Sequence, residues 1–363
     1  MTLAKLGLGF FLAAPFFGAE TIPTVGSALI AHEWGTFTSV ADAEGYAIPW
    51  TVLGGSPDLP CFVIRPDPQY KLISLSRVRM ETPVLYFYTA RPMTVSVGVR
   101  FPKGRLTEWY PQAASPAPGS LDWSRVELLP GERPELPAGM GASHYYAARE
   151  TDATPLRVGK QQEKLLFYRG VGDFALPLQP VFTASGAVDL KGDLPAILFE
   201  NRDGRVGFRF VNGPGPVATP ELNGDLEHLR GALVEMLTGA GLYPKEARAM
   251  VETWRDSWFE EGMRVLYLMP RAAVDALLPL AIAPAPQEVA RVFVGRIELL
   301  SPAMRETIGR ALGERDIPML QRYGRFLNAF AGQMPRSAAN TQTIAKVQAL
   351  QDAGLASSPG CVR

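Results

Sequence analysis

Proline restricts this chain more than any other residue. There are 32 prolines in 363 residues, about 9% against a typical ~5%. Each one fixes φ and removes a backbone donor, so long helices are excluded wherever prolines recur, and short strands joined by shaped loops are favoured. From Leu29 to Asn212 the segments between these breaks are β-branched and aromatic. His32–Val40, Val78–Tyr88, Met93–Phe101, Leu106–Tyr110, His144–Thr151, Lys164–Arg169, Pro180–Ala184, Ala196–Glu200 and Val206–Val211 read as strands. Pro/Gly loops at Pro111–Gly119 and Pro130–Pro137 separate some of them. This succession predicts a β-rich, sandwich- or barrel-like domain over residues 29–212.

The pattern changes after a Pro/Gly linker at 213–220. Leu226, Leu229, Leu233, Met236 and Leu237 fall on one helical face. A second helix opens with Pro244 and carries Ala247, Met250, Val251, Trp254 and Trp258. Met263–Met269 and Val289–Leu300 read as strands, Ser301-Pro302 starts a further helix, and Leu320–Phe330 marks the last strong one. The expected fold class is therefore α+β, with a mostly helical domain over 221–334 and a loosely held tail over 335–363.

The first residues carry one lysine, Lys5, before the uncharged apolar run Leu6–Ala19. That is the layout of a secretory signal, too short to span a bilayer comfortably. Cleavage is expected after residue 19 or 28, releasing a periplasmic or extracellular protein without a transmembrane segment. An uncleaved anchor is the alternative. In an oxidising compartment the two cysteines, Cys61 and Cys361, can pair, closing a loop of about 300 residues worth on the order of 5 kcal/mol. Basic and acidic residues number 36 each, so no net charge draws the chain to nucleic acid.

The sequence lacks a phosphate-cradling loop, a dinucleotide-binding glycine pattern and a nucleophile elbow. His32-Glu33 begins like a zincin motif, but Thr36 stands where the second histidine is required. Only three histidines occur. His32 and His144 are the candidate ligands for zinc or another divalent ion, with Glu81 or Glu108 as third ligand or general base. Strand alternation turns His32 and Glu33 to opposite faces unless Gly35 marks a bulge. Arg77, Arg79 and Glu81 alternate along one strand and suit an acidic or polyhydroxyl ligand; the ordinary reading is ion pairing on a sheet face. Trp109 and Tyr145 are candidate ligand platforms, although such rings are usually buried. Glu252, Asp256 and Glu260 are expected on one solvated helix face. Two functions fit this inventory: an exported module that binds an envelope ligand or protein partner, and a metal-dependent hydrolase.

Overall fold

The computed structural model describes residues 28–51, 59–65, 75–139, 143–213 and 215–356, with side chains to residue 351. The N-terminal apolar run and Cys361, on which the export and disulfide expectations rest, lie outside the described residues. Among those described, no helix is long and apolar enough to cross a membrane.

The frame is an eight-stranded sheet. In chain order its strands are β1 (Ile30–Val40), β2 (Val78–Tyr88), β3 (Gly104–Tyr110), β4 (Leu166–Gly172), β5 (Ala196–Arg202), β6 (Arg205–Val211), β7 (Gly262–Leu268) and β8 (Glu288–Leu299). Their order across the sheet is β6-β5-β7-β8-β1-β2-β4-β3. All neighbours are antiparallel except β1 and β8, which run parallel with Thr36 beside Val294 and Thr38 beside Arg296. The chain is thus a mixed α+β protein. The sheet takes strands from both sides of the 213–220 linker, so the division expected there separates stretches of sequence but not hydrogen-bonded sheets.

All eleven residues of β1 and of β2 are buried, because both faces of the sheet are covered. On one face Trp34, Val84, Tyr86, Phe167, Phe199 and Leu266 pack under α1 (Leu226–Gly239) and α2 (Pro244–Thr253), meeting Leu233, Met250, Trp254 and Trp258. On the other, Phe37, Leu85, Phe87, Val265 and Phe293 meet a five-stranded sheet that supplies Val95, Val97, Trp123 and Val126. The change of face falls on β2, opposite Gly35: Val84 and Tyr86 face the helices, whereas Val78 and Met80 face the other layer. The β1–β2 register shifts between Trp34 and Thr36, and a Cβ at Gly35 would stand 2.7 Å from the Phe293 ring. The extra residue lies on β2, which advances from Val84 to Glu81 while β1 advances only from Trp34 to Thr36. The bulge expected at Gly35 therefore sits on the partner strand, and β1 keeps its alternation. Glycine at 35 admits the close approach of the ring.

Four local expectations are corrected. Leu320–Phe330 is not one helix but is divided between the short helices Ile317–Gln321 and Leu327–Gly332 by a 3-10 turn at Gly324–Phe326. His144–Arg149 forms a 3-10 helix capped by Ser143, not a strand. The helix from Pro244 ends at Thr253, so Asp256 and Glu260 lie in the turns that follow and do not continue the face of Glu252. In the expected loose tail, Ala338–Ala356 forms a helix, with Val347 and Thr343 buried.

Candidate functional site

His32 lies in β1 under the start of α2. Its Nδ1 donates to Glu246 at 2.8 Å. The same carboxylate accepts from the Tyr88 hydroxyl at 2.6 Å and from the Tyr243 backbone at 2.8 Å. Burial and the adjacent Glu246 push the Tyr88 phenol well up, so it remains a donor. Pro244 opens the helix, which places Glu246 in its first turn, where an acid suits the free backbone amides. His144, one-third exposed, bonds Asp256 at 2.7 Å beyond the other end of α2. The ten residues of α2 span about 15 Å, so the structure does not bring the two expected metal ligands together. Among the described residues no three His, Cys, Asp or Glu side chains are grouped to hold a metal.

Glu33 faces the opposite layer from His32, as strand alternation requires. It accepts from Tyr168 and, at 2.6 Å, from Arg291. Farther along β1 and β2, Thr36, Thr38, Arg79 and Glu81 alternate with Phe37 and Met80 of the sheet-facing layer, so they project into the helix-covered layer. Arg79, Thr38 and Arg296 stand in one row across β2, β1 and β8. Arg325 pairs with Glu81 at 3.0 Å, and Arg296 reaches Glu260 and Glu298, each at 2.6 Å. Arg264 joins at 2.9 Å from Glu298, and Ser257 accepts from Arg296 at 2.7 Å. Burial alone would raise the Glu81 carboxyl; the Arg325 and Arg79 guanidiniums outweigh it and bring it down to about 2. A carboxylate held ionised in this way is a poor general base at neutral pH.

The remaining candidates also lie inside the fold. Glu108 is buried, accepts from Thr107 and stands opposite Arg169 in register. Trp109 is 4% exposed. Tyr145 is 2% exposed, donates to Glu163 and packs beside Arg149, whose guanidinium sits over the rings of Phe62, Tyr145 and Tyr146. Neither ring offers a platform to a ligand. Arg77 does not share a face with Arg79 and Glu81. It precedes β2, is half exposed and stands 3.6 Å from Asp173.

Arg77 opens instead onto a cleft of about 520 Å³. Tyr46, Ile48, Phe174, Leu176 and Leu178 form its apolar walls, and Ser39, Asp42, Asp173 and Gln179 supply polar groups. The turn Asp42–Tyr46 shapes one side: Asp42 accepts from the backbone of Tyr46 at 2.8 Å and of Glu44 at 3.1 Å, and Gly45 takes φ +86°. A second cleft of about 380 Å³ shares Asp42 and is lined by Phe182, Leu299 and Arg305. The Pro/Gly pattern showed the loops but not the cleft, which needs residues 39–49, 77, 173–179 and 297 brought together. Glu246, Arg296 and Arg325 were also missed. For Glu246 the Pro244-x-Glu spacing was the available signal. For Arg296 it was an alternating charge pair, Arg296 and Glu298, inside the otherwise apolar run Val292–Leu300.

In comparison with known proteins, the chain matches no protein-family model and no curated protein.

Proposed function

We propose that this chain is an exported protein of the cell envelope that binds a small ligand in the cleft between Tyr46 and Phe174. One observation carries the reading. The cleft combines apolar walls, a few polar groups and a volume of about 520 Å³, within the ~300–1,000 Å³ usual for ligand sites. Three candidate titratable groups outside it are engaged: His32 with Glu246, His144 with Asp256, Glu81 with Arg325. They serve packing and do not converge on a common point. Ala175 is exposed at the cleft wall, so Ala175→Trp fills the space without disturbing the core. A thermal-shift screen of small molecules should give hits that raise the melting temperature of the wild type and not of this variant. A screen without hits, or with hits equal in both proteins, contradicts the proposal.

Export rests on the N-terminal sequence, with cleavage after residue 19 or 28. Mass analysis of the protein from an exporting host should show a chain starting at Glu20 or Leu29. A full-length chain in the cytoplasm rules export out. The pairing of Cys61 with Cys361 belongs to the same proposal. It is read as a loss of two mass units relative to the reduced mature chain.

A further inference from the structure

The polar groups around the cleft differ in kind, and this selects among ligand classes. We propose that the cleft takes a saccharide, one ring stacked on Tyr46 and its hydroxyls held by Asp173, Arg77 and Gln179. The inference rests on the ligand-cleft reading above and adds the chemistry of the ligand. Tyr46 is 58% exposed, unusual for a large aromatic, and it lines the cleft. Its backbone is fixed. Asp42 donates its backbone N–H to the Tyr46 carbonyl at 2.9 Å, and an Ala41–Ala47 bridge closes the turn. A ring on a fixed backbone presents its face with little ordering cost, and the apolar face of a sugar ring stacks on such a surface.

Beside it, Arg77 and Asp173 are each about half exposed and only loosely paired at 3.6 Å. One Asp173 oxygen accepts from the Arg77 backbone at 3.0 Å. The other is directed to no described donor. Ser39 is fully buried, lines the cleft, and its hydroxyl has no partner among the described residues. A buried hydroxyl left unpaired is costly, and a ligand group reaching it removes that cost. Sugar hydroxyls both donate and accept, so they satisfy carboxylate, guanidinium, amide and hydroxyl together. An anionic ligand would meet Asp42 and Asp173, and a wholly apolar one would leave Ser39 unpaired. The second cleft is also lined by Asp42 and so lies beside the first, which favours an oligosaccharide over a single ring.

The test is titration calorimetry of the intact mature protein with chitotetraose, cellotetraose and maltotetraose, beside an apolar dye as a second probe. At least one tetrasaccharide should bind. Tyr46→Ala should weaken that binding roughly tenfold, while Tyr46→Trp holds it within about threefold. Asp173→Asn should weaken it as well. If no tetrasaccharide binds at millimolar concentration, or Tyr46→Ala binds equally well, the saccharide inference fails. If the dye then still binds and Ala175→Trp expels it, the cleft remains a ligand site of another class. If neither probe binds, both readings fall together.

Discussion

Glu81 illustrates how single residues behave inside this fold. It is 2% exposed on a central strand and survives there because Arg325 lies 3.0 Å away and Arg79 3.8 Å away. Removing one partner of such a group leaves the others uncompensated, at about 3–5 kcal/mol. The carboxyl falls from 4.5 to about 2 on folding, which corresponds to about 3 kcal/mol of linked stability. A depressed folded pKa stabilises above the unfolded value and loses that contribution as pH falls towards the folded one. Glu81→Gln should therefore destabilise by about 3 kcal/mol at pH 7, with the gap to wild type closing between pH 4.5 and about 2. Denaturant unfolding across that range checks it; a gap independent of pH would mean that the charge does not matter. The alternation of Arg79 and Glu81 was legible in the sequence and placed them correctly on one face. Arg77 fell outside because the strand starts one residue later, at Val78. Their burial was not legible, since it depends on Arg325, some 240 residues away, and on turns beyond α2 that cover the sheet.

At the scale of elements, α2 is held to the sheet by one carboxylate as well as by its apolar face. Glu246 accepts from His32, Tyr88 and Tyr243, joining β1, β2 and its own helix start. Glu246→Ala strands two buried side-chain donors and an amide, each worth about 1–3 kcal/mol when left unpaired. A loss on the order of 3 kcal/mol is expected, mostly shared with Tyr88→Phe, so the double variant should fall short of the sum of the singles. A urea-unfolding double-mutant cycle measures the coupling; strict additivity would show that the two do not act as one unit. The helix itself was plain in the sequence: Pro244 marked its start, and Ala247, Met250, Val251 and Trp254 its buried face. Its end was not. Arg255, Asp256 and Ser257 are compatible with helix, yet the chain turns after Thr253, bringing Ser257 and Glu260 onto Arg296. Tertiary ion pairing overrides local propensity at that point. The same holds for His144–Arg149, whose aromatic pattern suits a strand but whose Arg149 is drawn to Glu163 and three rings.

For the whole molecule the decisive contact is the parallel pairing of β1 with β8, between residues 30–40 and 288–298. Composition and period identified both strands but not their partnership. A strand with charge inside it and cover on both faces carries no alternation to show which neighbour it takes. The Pro/Gly break at 213–220 looked like a boundary because helical periods follow it, yet β7 and β8 return to the sheet begun by the first half. In a fragment ending at residue 212, β1 would lose β8, and β5 would lose β7. The face formed by Trp34, Phe167 and Phe199 would also lose the two helices that cover it. Exposed edges and an uncovered apolar face favour aggregation over an independent fold. Residues 29–212 expressed alone should therefore show no cooperative melt and rapid proteolysis. The mature chain, by contrast, should keep 29–212 and 221–356 in one transition, with hydrogen-exchange protection lost from β1 and β8 together. Two separate transitions, or a fragment as protected as the intact chain, would show that the linker divides the molecule energetically even though the sheet does not. The cleft would then belong largely to the first unit, since Ile297 is its sole described lining residue beyond the linker.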